Sequence, residues 1–182
     1  MAALLGDLAT PIEELARQAS AEAGIVVPAN YNAPGQVVVS GERAAVERLM
    51  ELARDRGARR AVQLNVSGAF HSPLMESAAQ GLASALVDAA MVDPNFPIVS
   101  NVTALPVGSA DEARAQLSRQ LTAPVRWTEV IQELARRHPS ALFVELGPGN
   151  VLTGLLKRIA PSVASAPGGT AADLANLLEM VA

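Results

Sequence analysis

The sequence predicts an α/β protein, and three observations predict it. From the N-terminus to Val66, short apolar runs and amphipathic helical patterns follow the order strand, helix, strand, strand, helix, strand. Beyond His71, strand and helix signals keep alternating to the C-terminus, the pattern of a parallel sheet covered by helices. Half of the 182 residues are hydrophobic but only 3% are aromatic, so the core must be built from Ala, Val and Leu.

Composition also bounds the function. There is no cysteine, which excludes disulfides, thiolate catalysis and Cys-type zinc sites. A formal net charge of -4 leaves no electrostatic footprint for nucleic acid. No apolar run approaches the roughly 18–20 residues of a membrane span. A charged leader with an apolar stretch and cleavage site is not evident at the N-terminus, so no signal peptide is read. The expectation is a soluble, cytoplasmic protein without membrane or nucleic-acid partners.

Residues 1–5 form a short apolar start that fits an edge strand. Thr10-Pro11 reads as an N-cap followed by proline at the first helical position, with Glu13 and Glu14 in the first turn, where the helix dipole favours them. Ile12, Leu15, Ala16 and Ala19 share a helical face, and Gly24 ends that element. Residues 25–31 are a strand, Asn32-Ala33-Pro34-Gly35 a turn, and 36–40 a second β-branched strand, together a hairpin. In residues 40–56, Ala45, Val46, Leu49, Leu52 and Ala53 line one helical face. Gly57 ends that helix, and 60–66 is a final strand. This order is the ferredoxin-like βαββαβ plan, a self-contained small subdomain over residues 1–66.

Residues 67–182 differ in character. An Ala/Leu-rich helix is predicted over 73–91, stopping before Asp93-Pro94, with a short strand over 97–102. Ser109 and Glu112 have the spacing of a capping box and open a helix reaching about Leu121, where Pro124 forces a break. Residues 126–137 are helical, 141–146 a buried-type strand and 151–159 a helix. A weak strand and a helix after Gly168-Gly169 complete the chain. So few strands cannot carry two helical layers, so central strands are expected to be missing from this stretch.

The chemistry centres on Gly68-Ala69-Phe70-His71-Ser72-Pro73-Leu74-Met75. His71 sits on a strand-to-helix connection, where a side chain can be held at the rim of a sheet. Taken alone, a lone histidine in a turn is more often a solvated or locally satisfied residue. His71, His138 and Glu145 follow no known metal-ligand spacing, so no metal site is read. Gly147-Pro148-Gly149 before a helix has the form of an anion cradle, but a structural turn explains it better.

Four words occur in order: Ala29-Asn30-Tyr31-Asn32-Ala33-Pro34-Gly35-Gln36-Val37-Val38-Val39-Ser40-Gly41, the Gly68–Met75 stretch, Arg119-Gln120-Leu121-Thr122-Ala123-Pro124-Val125-Arg126-Trp127, and Glu145-Leu146-Gly147-Pro148-Gly149-Asn150-Val151-Leu152. Together they resemble the malonyl-CoA:acyl carrier protein transacylases, the malonyl-loading enzymes of fatty acid synthesis. The resemblance runs across nearly the whole chain but covers only the C-terminal part of such an enzyme. It implies that residues 67–182 are the C-terminal part of a large α/β-hydrolase-like acyltransferase domain, into which the small subdomain is inserted.

The resemblance also implies roles. His71 matches the family histidine that takes the proton of a serine nucleophile and returns it to the departing thiol. Gln120 matches the position whose main-chain carbonyl orients that histidine, a triad with its third member replaced. By itself Gln120 is an exposed residue at a helix end. Phe70 matches a residue that accompanies malonyl selection, although without the family it reads as a core residue. Asn30 and Asn32 resemble cleft-lining asparagines, and serve equally as turn formers before Pro34. The implied partners are malonyl-CoA and acyl carrier protein, whose phosphopantetheine bears the accepting thiol, with no further cofactor.

This sequence departs from the family in one respect above all. The family serine lies on a Gly-x-Ser-x-Gly elbow, and no such word is present. The expectation is therefore a fragment of a truncated or split chain, inactive alone, whose serine belongs to an N-terminal half that is either a separate chain or the part cut away. A non-catalytic remnant that binds acyl carrier protein or coenzyme A is the alternative.

Overall fold

A computed structural model describes residues 1–181. The fold is α/β, and the chain divides into two compact units, Met1–Val130 and the residues from Ile131 onward. The division falls well beyond the change of sequence character at residue 66.

The first unit opens with β1 (Ala2–Leu5), α1 (Ile12–Ala23), β2 (Val26–Ala33), β3 (Gln36–Gly41), α2 (Arg43–Asp55) and β4 (Arg60–Gln63). These strands form one antiparallel sheet in the order β2-β3-β1-β4. The first strand is thus interior, not an edge. Ala2 lies opposite both Val39 and Gln63, and Ala2 and Leu4 alternate into the core at 0% and 2% exposure. The apolar stripes of α1 and α2 cover that face, with Leu15, Ala19, Val46, Leu49 and Ala53 in one cluster with Val39. Burying such a face supplies most of a helix's stability in a protein.

Several boundaries move for local reasons. Thr10 does not cap α1; Pro11 takes the N-cap position, and its carbonyl accepts from Glu14 and Leu15. The hairpin turn is only Pro34-Gly35, with Gly35 at φ 67, a conformation glycine adopts without steric cost. Asn30 and Asn32 therefore lie within β2, and register shifts fall between Pro28 and Asn30 and between Tyr31 and Ala33. Such bulges suit an edge strand that contains a proline. The last strand stops at Gln63 instead of running to Val66.

The rest of this unit contains a 3₁₀ turn (Pro73–Met75), α3 (Glu76–Asp88), β5 (Ile98–Val99), β6 (Pro106–Val107), α4 (Ala110–Gln120) and the start of α5 (Trp127–Arg137). The expected 73–91 helix is shortened at both ends, and the expected 97–102 strand is cut to two residues. There the Ser100 hydroxyl accepts the Val102 N–H, and the Ser100 carbonyl accepts the Ala104 N–H, turning the chain back toward β6. Ser109 caps α4 by accepting the Glu112 N–H at 3.2 Å. Glu112 reciprocates one residue early, at the Gly108 N–H.

In the second unit, β7 (Leu142–Glu145) and β8 (Ala164–Pro167) pair in parallel through α6 (Val151–Ile159), and α7 (Ala171–Val181) follows. Leu155, Leu156 and Ala166 are buried here. Gly169 is forced by contact, because a Cβ there would stand 2.0 Å from the Gly147 carbonyl oxygen.

Candidate active site

His71 follows the loop that leaves β4, at φ 62. A non-glycine residue in this left-handed region costs roughly 1 kcal/mol or more and persists only where its surroundings fix it. Two contacts do so. The His71 N–H donates to the Leu121 carbonyl at 2.9 Å. The hydroxyl of Ser72, fully buried, donates to the Ala69 carbonyl at 2.6 Å.

The imidazole is fixed from the same side. Its Nδ1 lies 2.9 Å from the Gln120 carbonyl oxygen and 3.1 Å from that of Ala123. Carbonyl oxygens only accept, so the proton of the neutral ring sits on Nδ1 and the Nε2 lone pair is left free. The Gln120 carbonyl is available because α4 ends there, and the last carbonyls of a helix have no partner within it. The half-buried ring is thus held by three main-chain carbonyls, one through its backbone and two through Nδ1.

The segment supplying those carbonyls is anchored beyond them. Pro124 interrupts the helical pattern. Val125 pairs with β2, donating to Ala29 at 2.8 Å and accepting from Tyr31 at 2.9 Å. Arg126 donates its N–H to Asn101 and its guanidinium to Thr103 at 3.2 Å and to Glu129. The Glu129 carboxylate holds that guanidinium's proton affinity above its ordinary value. Thr128 donates its hydroxyl to the Tyr31 carbonyl. Tyr31 in turn donates its phenol to Glu13 at 2.7 Å, and burial, with Glu13 second, keeps that phenol protonated well above its usual range.

The other expected site residues differ in their support. Phe70 is 38% exposed, so it is not a core residue. Its ring lies over Gly68, where a Cβ would meet it at 3.0 Å. Asn30 and Asn32 are half-buried on β2, the strand that Val125 joins opposite Asn30, and serve as strand rather than turn residues. The Gln120 side chain reaches the Ala123 carbonyl only at a long 3.4 Å. Gly68 and Ala69 line an open polar groove of about 430 Å³ with Arg43, Gln63 and Asn65. Gln120 borders a separate, largely apolar groove of about 320 Å³ with Ile98 and Leu117.

Two features were invisible in the sequence: the second acceptor at Ala123 and the bracing by Val125 and Arg126. A backbone carbonyl carries no residue signature. Only the helix-breaking Pro124 hinted that free carbonyls precede it. Among the described residues, no group of three or more His, Asp or Glu could hold a metal ion. The N-terminus of α6 is not an open anion cradle, because the Glu145 carboxylate occupies it, accepting from the backbone of Leu152 and Thr153.

Known proteins resemble this chain along most of its length. The profile of the acyl transferase domain matches residues 2–177. The malonyl CoA-acyl carrier protein transacylase of Bacillus subtilis strain 168 is 40% identical over 159 residues, covering 87% of this chain and 50% of that protein. The Escherichia coli K12 enzyme of the same name is 38% identical over 180 residues, covering 99% and 58%. Among solved structures, the transacylase of Xanthomonas oryzae superposes with a TM-score of 0.92 at 41% identity, covering 98% of this chain and 56% of the other. A malonyl-transacylase solved in complex with its type II PKS acyl-carrier protein gives 0.93 at 38%, covering 98% and 57%. The chain spans between half and three-fifths of the length of these relatives. With the family profile matched along nearly its whole length, the chain belongs to the acyl transferase domain family.

Proposed function

We propose that this chain is the C-terminal part of a malonyl-CoA:acyl carrier protein transacylase, with His71 as its general base and acid. One observation carries the reading: Nδ1 of His71 faces two main-chain carbonyls, which leaves Nε2 as the proton acceptor. In the first half-reaction, Nε2 takes the proton of a serine hydroxyl as its oxygen attacks the malonyl thioester carbonyl. The carbon–sulfur bond breaks, and Nε2 gives that proton to the departing sulfur, so coenzyme A leaves as its thiol and the ring is neutral again. The phosphopantetheine thiol of acyl carrier protein then gives its proton to Nε2 and attacks the serine ester. That proton returns to the serine oxygen as the ester breaks. The Gln120 carbonyl, assisted by Ala123, plays the part an aspartate plays in the Ser-His-Asp triad.

The remaining roles follow from the same reading. Phe70, partly exposed beside His71, limits the bulk accepted at the α-carbon of the acyl group, and Asn30 and Asn32 line the cleft. Residues 1–66 are a ferredoxin-like subdomain, supported by the strand order β4-β1-β3-β2, and residues 67–182 belong to the large subdomain. The serine comes from outside residues 1–182, on the same polypeptide or on another, and these residues alone are inactive. No cofactor beyond the two thioester partners takes part, and the reaction belongs to the cytoplasm.

The test is complementation. The chain is mixed with a polypeptide carrying the Gly-x-Ser-x-Gly half of a relative, and malonyl transfer from malonyl-CoA to holo acyl carrier protein is measured. Transfer is expected only from the pair, and His71→Ala lowers it by about 10²–10⁴-fold. Full rate in the His71→Ala pair, or thioester binding with no acylated serine in any pair, overturns the assignment.

A further inference from the structure

We propose that Arg126 is a positioning residue for His71: it fixes the rotation of the 120–126 segment, and with it the aim of the two carbonyls at the imidazole. This rests on the role assigned to His71 above. The segment is tied to β2 at one point, through the paired N–H and C=O of Val125. Two hydrogen bonds from a single residue define an axis but leave rotation about it open. Arg126 supplies the anchors off that axis, its N–H on the Asn101 carbonyl at 3.0 Å and its guanidinium on the Thr103 carbonyl at 3.2 Å.

The anchor itself is firm. The Ser100 N–H donates to the Leu105 carbonyl and the Ala104 N–H to the Ser100 carbonyl, with Ala104 buried at φ 56. Glu129 occupies the rest of the guanidinium fork and keeps it turned toward Thr103. Between Arg126 and Ala123 stands Pro124, whose ring fixes φ, so a rotation at 126 passes to the Ala123 carbonyl. A lysine offers a point charge without the planar fork, and cannot hold both partners in the same plane.

The experiment is performed on this chain, without the serine half. The ¹⁵N shifts of the His71 ring report its tautomer at a pH where the ring is neutral, and His138 serves as an internal reference. In the wild type, the Nδ1–H form should dominate. In Arg126→Ala the excess of that form should fall about five- to tenfold, the worth of roughly one hydrogen bond, and in Arg126→Lys it should fall less. Leu49→Ala, which weakens the α1–α2 core, should lower Tm and leave the His71 shifts unmoved. Unchanged His71 shifts in Arg126→Ala, or wild-type shifts in Arg126→Lys should the alanine variant not fold, overturn the proposal. Equal movement in Leu49→Ala also overturns it. A wild-type ring without the Nδ1–H form sinks instead the assignment of His71, before any variant is read.

Discussion

The Glu145 carboxylate closes the first turn of α6 on Thr153: one oxygen receives the Thr153 N–H at 2.7 Å and its hydroxyl at 2.8 Å. The other oxygen receives the Leu152 N–H at 3.0 Å. A side chain at the end of β7 thus does what an N-cap residue usually does, and Asn150, which precedes the helix, does not cap it with its side chain.

These donors, the Thr153 N–H foremost, hold the Glu145 carboxyl below its ordinary value of 4.5. The folded state therefore binds its proton less readily than the unfolded chain. The stabilisation is complete above about pH 4.5 and disappears as pH falls through the lower folded value. Thermal unfolding followed between pH 6 and 3 should show a shallower acid loss of Tm in Glu145→Gln than in the wild type, together with a lower Tm at pH 6. Parallel curves would exclude this linkage.

Two glycines are required by close backbone approach. A Cβ on Gly41 would lie 2.1 Å from the Ile25 carbonyl oxygen, and one on Gly169 would lie 2.0 Å from that of Gly147. Neither neighbour is the end of a flexible side chain that could swing aside. Gly41→Ala and Gly169→Ala should each cost about 2–4 kcal/mol in urea unfolding. Gly81→Ala is the control, because nothing lies within 4 Å of its Cβ position.

Much of this was legible beforehand. The 3.6-residue stripe of Ala45, Val46, Leu49, Leu52 and Ala53 locates α2, and the bounds of α6 match the pattern because the Gly147–Asn150 turn sets its start. Pairing partners were harder. Four apolar residues at the N-terminus cannot say whether two strands or one will flank them, and β1 has β3 on one side and β4 on the other. The turn after β2 looked longer than it is because Asn32 is a turn former by composition, yet it is absorbed as a bulge. His71 stood out through its surrounding words. Its second carbonyl partner did not, since Ala123 has no functional group to notice.

The buried hydroxyl of Ser40 has no hydrogen-bond partner among the described residues. An unpaired buried hydroxyl costs about 1–3 kcal/mol in lost hydration. Ser40→Ala should therefore lie within about 1 kcal/mol of the wild type, on the stabilising side. Leu49→Ala, equally buried on α2, should lose about 2–5 kcal/mol through the cavity it leaves. Denaturant midpoints at constant m-value separate the two.

The acyl group should feel Phe70. In the serine-complemented enzyme, Phe70→Ala should raise the rate with an α-methylated malonyl thioester relative to malonyl-CoA by about tenfold, as expected when one methyl-sized exclusion is relieved. An unchanged ratio of kcat/KM values would remove Phe70 from selectivity.

The partners that orient the imidazole are peptide oxygens, and this has a consequence for genetics. A missense change at Gln120 or Ala123 leaves the oxygen in the chain, so a side-chain scan of these two positions reads them as silent. Displacing the acceptors takes a lesion that bends the main chain, such as an inserted residue or Leu121→Pro, or one that releases its anchor at Arg126. The oxygens that face the ring are thus shielded from ordinary substitution at their own positions, and exposed to it only through what holds the main chain.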